Sequence, residues 1–157
     1  MKTTSSLLVL AVLSVSAISS AQSERSSDRA QAIALFHRAD SLFNSGRYNA
    51  YFSLFTPGFY QVDADGNRIH KARFKAAAMS ALDGVQNARM KNTIKNVQLT
   101  DNELMVWVEE RLSYRTGRGP MVLTSRYAYN LVRAPGGWAF ASAQQLPTNE
   151  PWSFKTN

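Results

Sequence analysis

The side chains that could carry acid–base or metal chemistry in this chain are few. There are two histidines, His37 and His70, and no cysteine. The missing cysteines exclude disulfides, thiolate metal sites, cysteine nucleophiles and a lipidated N-terminal cysteine. Neither histidine belongs to a His-X-His or His-X3-His pair, so a histidine metal site would need carboxylates to complete it. His37 sits at the margin of an apolar helical stripe and His70 just before a helix; both read as surface or capping positions. Asp63, Asp65, Gly66 and Asn67 resemble the start of a calcium loop. The downstream bidentate glutamate is absent, since no Glu occurs between Glu24 and Glu103. A tight turn built on Asp65-Gly66 explains these residues better. No metal and no cofactor is expected.

The formal charge is +7, from 18 basic and 11 acidic residues. Lys71, Arg73, Lys75, Lys91, Lys95, Arg111 and Arg126 are spread along the chain rather than clustered among aromatics. Specific nucleic-acid binding is therefore not expected, and a solvated basic surface is the simpler reading. Met1-Lys2, the uncharged run Leu7 to Ile18 and the small residues Ser19-Ser20-Ala21 together read as a secretory leader. The leader is expected over 1–21, with cleavage after Ala21 and export to the periplasm or the exterior. The run is too short to span a bilayer comfortably.

The elements that must position any site follow from periodicity. Residues 22–27 are polar and read as a flexible lead. Asp28 is expected to cap a helix over Arg29–Asn44, in which Ile33, Phe36, Ala39 and Phe43 recur at three- and four-residue steps. Gly46 ends it. A short helix is expected over Tyr48–Phe55, a small hairpin from Phe59 to His70, and a third helix over Ala72–Leu82. Four longer strands follow, at Arg89–Leu99, Leu104–Tyr114, Met121–Arg133 and Trp138–Leu146, with a turn at Ala134-Pro135-Gly136-Gly137. Helices first and a strand meander afterwards give an α+β class: N-terminal helices packed on a curved, mostly antiparallel sheet. One domain is expected over 28–147, with a polar tail over 148–157 that carries Trp152 and Phe154.

Several phrases resemble a known superfamily. Ser45-Gly46-Arg47-Tyr48, Ser53-Leu54-Phe55-Thr56-Pro57-Gly58-Phe59, Asp63-Ala64-Asp65-Gly66 and His70-Lys71-Ala72-Arg73-Phe74 look like the opening of nuclear-transport-factor-2-like domains of the SnoaL-like kind. Arg126-Tyr127, Val132-Arg133 and Gly137-Trp138 match the close. The resemblance implies a cone-shaped, cystatin-like fold with a pocket between helices and concave sheet, and frequent dimers through the outer face. The superfamily includes ketosteroid isomerase, scytalone dehydratase, polyketide cyclases and many non-catalytic domains. Compared with the isomerase, Asp63 falls where the catalytic base should lie. Ala39 and Ala128 fall where its two oxyanion donors should lie. Dehydratase-like chemistry requires pocket histidines, which are scarce here.

With the family's strand register, Thr124, Arg126, Ala128 and Asn130 face the pocket, with Ala139, Ala141, Ala143 and Gln145 beside them. Tyr127, Tyr129, Leu131, Trp138 and Phe140 then face outward, where a homodimer or the Trp152-bearing tail would cover them. The expected pocket-lining residues are Tyr60, Asp63, Arg126, Asn130 and Gln145. Arg126 is either an anion-binding group or the partner of Asp63, Glu109 or Glu110 in a structural ion pair. Two functions follow from these readings. One is non-catalytic binding of a small molecule or protein partner. The other is a cofactor-independent lyase, isomerase or hydrolase with Asp63 as general base, assisted by Tyr60 or Arg126.

Overall fold

The computed structural model describes the backbone of residues 7–100 and 103–154, and side chains from residue 26 onward. The Met1-Lys2 start of the expected leader, the side chains around the Ala21 cleavage position and the Asp101-Asn102 turn lie outside the described residues. The elements run α1 (Leu7–Asn44), α2 (Tyr48–Phe52), β1 (Phe55–Val62), β2 (Arg68–His70), α3 (Lys71–Asp83), β3 (Gln86–Thr100), β4 (Glu103–Thr116), β5 (Gly119–Ala134) and β6 (Gly137–Leu146). They form an α+β unit in which helices cover one face of an open six-stranded mixed sheet ordered β2-β1-β6-β5-β4-β3. Among the described residues no helix is long and apolar enough to cross a membrane.

Helix α1 passes straight through residues 22–27, which were expected to be a flexible lead. No glycine or proline interrupts Leu7–Asn44, so nothing in the backbone chemistry stops it. Asp28 is accordingly not a cap. Its carboxylate, almost fully buried, pairs with the Arg133 guanidinium of β5. That guanidinium in turn lies 4.2 Å from the centre of the Trp138 ring. The buried stripe of α1 is Ala32, Leu35, Phe36, Ala39, Leu42 and Phe43, a spacing that keeps one side of the helix on the sheet. Gly46, at φ 73°, closes α1. Its amide donates to the Phe43 carbonyl at 3.0 Å, and the Arg47 amide donates to that of Leu42 at 2.9 Å.

Two side chains lock α1 onto β3. Asn44 donates to the Met90 carbonyl (2.9 Å) and accepts from the Met90 amide (2.7 Å). Asp40 accepts from the Asn92 backbone amide (3.0 Å) and from its side-chain amide (2.6 Å). The second helix is shorter than periodicity suggested. It stops at Phe52, and β1 begins at Phe55, because Pro57 disfavours the helical region for the residue before it. Strand β1 runs parallel to β6, with a register shift between Phe55 and Tyr60 that accommodates the proline.

The four long strands form the expected antiparallel meander. Pro135-Gly136 makes the two-residue loop between β5 and β6, with Gly136 at φ 91° as a type II turn requires. The sheet faces differ from expectation. Tyr129 and Phe140 pack edge-on against Phe36 of α1, with ring centres 5.3 and 5.1 Å away, and Leu131 is fully buried. The concave side therefore carries Tyr127, Tyr129, Leu131, Trp138 and Phe140, and the outer side carries Arg126, Ala128 and Asn130. A bulge inverts the alternation in β6: pairing steps from Asn130↔Ser142 to Leu131↔Phe140, leaving Ala141 as the extra residue. Ala143 and Phe140 consequently both face the core, although they are three residues apart.

The outer face carries its own cover. Trp107 of β4 is 1% exposed, because the tail folds back and sets Phe154 edge-on to it at 5.7 Å. Phe154 stacks on Trp152 at 5.9 Å, and Gln98 donates to the Phe154 carbonyl at 3.2 Å.

Candidate functional site

The inward residues of β4 are Leu104, Val106, Val108, Glu110, Leu112 and Tyr114, since each pairs with an inward residue of β5. The first three are buried under α1. Beyond Val108 the helices diverge from the sheet and a cavity of about 280 Å³ opens. Its floor is Glu110 and Leu112 of β4 with Tyr127 and Tyr129 of β5. Its walls are Phe43 of α1, Tyr51 and Phe52 of α2, and Phe74, Ala78 and Leu82 of α3. Gln61 of β1 closes one side, and Leu123, 53% exposed, stands at the margin.

Among the described residues, Glu110 is the one charged residue lining this cavity. It is half-buried, and the surface it exposes faces the cavity. Among the described residues it has no hydrogen bond or ion pair. Desolvation first, and then repulsion from Asp40, push its carboxyl up to about 7. Asp40 reaches this region through its cap on Asn92, the cross-strand partner of Glu110. Burial raises the Asp40 carboxyl, while its bonds to Asn92 and the nearby His37 and Lys91 pull the other way. The Asn92 Oδ1 is buried and accepts no hydrogen bond among the described residues.

Three tyrosines complete the polar part. Burial, followed by the charge of Glu110, holds Tyr51 and Tyr129 well above their ordinary value and pushes Tyr127 up to about 12. All three are neutral hydroxyls at any physiological pH. The ring centre of Tyr127 lies 5.7 Å from that of Tyr129. The site thus combines aromatic walls, one uncompensated carboxyl and several hydroxyls.

The residues expected to line the pocket lie elsewhere. Asp63 sits partly exposed in the β1–β2 turn. Its carboxylate accepts from the amides of Asp65 (3.0 Å) and Asn67 (2.8 Å) and from the Asn67 side chain (3.0 Å). The Asn67 bonds hold its carboxyl below the usual range, which makes it a weak base. Tyr60 and Asn130 line a separate outer-face dent of about 100 Å³; the Arg68 guanidinium covers Tyr60 at 3.9 Å, and Asn130 donates to Glu103 at 2.8 Å. Arg126, also outward, donates to the Glu150 carbonyl at 2.5 Å and lies 4.6 Å from the Trp152 ring and 4.0 Å from the Glu109 carboxylate. It clamps the tail and lies outside the lining of the 280 Å³ cavity. Gln145 shares the inward side of its strand with Ala143 but lies outside the cavity lining.

The outward-dimer reading of Tyr127, Tyr129, Trp138 and Phe140 is corrected for the same reason: these residues sit under the helices. Ala128, aligned with an oxyanion donor, points away from the cavity, whereas its neighbours Tyr127 and Tyr129 point in. Sequence reasoning passed over Glu110 except as an ion-pair partner. Its signal was present as a carboxylate in phase with the stripe Leu104, Val106, Val108 and Leu112.

The SnoaL-like domain family matches residues 30–145 of the chain. Solved structures share the fold at low identity. A function-unknown protein from Mycobacterium tuberculosis superposes with a TM-score of 0.67 at 17% identity, over 79% of this chain and 73% of that one. A protein provisionally named a scytalone dehydratase, from Novosphingobium aromaticivorans, gives 0.70 at 12% identity, over 79% and 86%. A nuclear-transport-factor-2-like protein with a cystatin-like fold, from the same organism, gives 0.67 at 14%, over 84% and 89%. No curated protein matches significantly.

Proposed function

Because this chain belongs to the SnoaL-like domain family, we propose that it is a small-molecule-binding domain whose ligand occupies the cavity between the three helices and the concave sheet. One observation carries the reading: the cavity is walled by aromatic and aliphatic side chains yet ends on Glu110, a carboxyl with no partner among the described residues. An apolar pocket with one convergent polar group is the usual form of a small-ligand site. The binding is non-catalytic in this reading, since among the described residues no histidine, lysine or arginine lines the cavity to act with Glu110. The protein works outside the cytoplasm, a reading supported by the leader-like start.

Native mass spectrometry of protein purified from its own host, paired with N-terminal sequencing, tests both parts. A retained ligand of small mass and a start at Gln22 are expected. A ligand-free protein that binds no hydrophobic probe, or an intact leader, contradicts the respective part.

A second reading rests on the position of Glu110 itself. A carboxyl titrating near neutrality beside neutral tyrosine hydroxyls suits a proton carrier in a cofactor-independent lyase or isomerase. Glu110 then takes the role first given to Asp63, whose exposure and lowered pKa unfit it for proton abstraction.

A further inference from the structure

The cavity lining carries one carboxyl, several tyrosine hydroxyls and, among the described residues, no cationic side chain. Glu110 has no donor among the described residues. The Oδ1 of Asn92, paired with Glu110 across β3 and β4, is buried and also lacks a donor. Asp40 adds a second carboxylate behind Asn92. Above them, the rings of Phe43, Tyr51, Tyr127 and Tyr129 surround the same space. Aromatic faces are electron-rich and attract cations. Arg126, the cation first expected there, lies on the other side of the sheet.

Resting on the small-molecule reading above, we infer that this site selects an organic cation, a protonated primary amine on an apolar body, with the ammonium directed at Glu110. The ammonium supplies the donor that Glu110 lacks, and the rings and α3 take the body. A carboxylate or phosphate ligand would place its charge against two carboxyl groups with no compensating cation in the lining.

The charged and titratable groups facing Glu110 are Asp40 and, beyond it, His37 on α1; Tyr51 on α2; Tyr114 on β4; and Tyr127 and Tyr129 on β5. The β3 segment presents Asn92, with Lys91 near Asp40. The α3 residues lining the cavity are apolar. Tyr51, Tyr127 and Tyr129 stay neutral across the accessible range, so pH acts on amine binding through Glu110, with Asp40 behind it.

Three probes sharing one phenyl body separate the possibilities: phenethylammonium, 2-phenylethanol and phenylacetate. Affinities are measured calorimetrically on the full chain at pH 5 and pH 8, for the wild type and Glu110→Gln. The expected result at pH 8 is cation over alcohol over anion, with the cation favoured by about tenfold or more. That preference shrinks at pH 5 and in Glu110→Gln, where the carboxylate charge is gone. The wild-type comparison between the two pH values decides the matter even if the variant folds poorly. If the alcohol or the anion binds as tightly as the amine at pH 8, or if Glu110→Gln keeps the full cation preference, the cation inference falls and the pocket reading stands. If none of the three binds, the pocket reading itself fails.

Discussion

Replacing Glu110 by glutamine stabilises the protein, and only above a defined pH. The wild-type carboxyl has an ordinary value of 4.5 and is pushed up to about 7 in the fold. The folded state therefore binds its proton more tightly than the unfolded chain does. Stability from this group is complete below about 4.5 and is lost as pH rises through about 7, with a limiting slope of about 1.4 kcal/mol per pH unit. The full shift corresponds to a ceiling of about 3 kcal/mol at pH 8. Water in the cavity screens part of that charge, so about 1–3 kcal/mol is the working expectation. Glutamine matches the protonated carboxyl in shape and cannot ionise. Urea unfolding of both proteins, followed by far-ultraviolet dichroism at pH 5 and 8, is the assay. A gap of under about 1 kcal/mol is expected at pH 5, widening to about 1–3 kcal/mol in the variant's favour at pH 8. Equal stabilities at both pH values would refute the argument, because an uncompensated buried carboxylate cannot be free of cost.

Removing residues 148–157 uncovers Trp107, which is 1% exposed under Phe154. Its emission then shifts to the red, and the truncated chain gains a tendency to self-associate in sedimentation, since an apolar outer face is left bare. Asp63→Ala lowers the melting temperature modestly by removing three hydrogen bonds from its turn, yet leaves ligand affinity unchanged in titration calorimetry. Phe36→Ala leaves a hole beneath Tyr129 and Phe140 and costs about 3–5 kcal/mol in urea unfolding.

The element order was legible because each run carries its own period. Phe36, Ala39 and Phe43 mark a helix at 3.6-residue spacing, and the strand runs are bounded by turn residues that reverse the chain. Which sheet face looks inward was not legible in the same way. The β4–β5 pair carries aromatics on both faces, since Trp107 of β4 is buried under the tail while Tyr129 of β5 is buried under α1. Alternation separates two sets without saying which set meets the helices. The Ala141 bulge then reverses phase within β6, so the alanines at 139, 141 and 143 read as one row when they are not. With the faces exchanged, the expected site moved to Asp63, Arg126 and Asn130. Glu110 was legible in principle, as a charge on an otherwise apolar stripe, but its meaning depends on where α1 and α3 part from the sheet.

The central claim is that a ligand enters the cavity over Glu110 rather than the outer face. Nuclear Overhauser contacts between bound phenethylammonium and the protein test it most directly. Contacts from the probe's ring to Phe74, Tyr127 and Tyr129, with a pH-dependent shift of the Glu110 carboxyl carbon, are predicted. Contacts confined to Tyr60, Trp107 or Trp152, with Glu110 unmoved, would contradict the account.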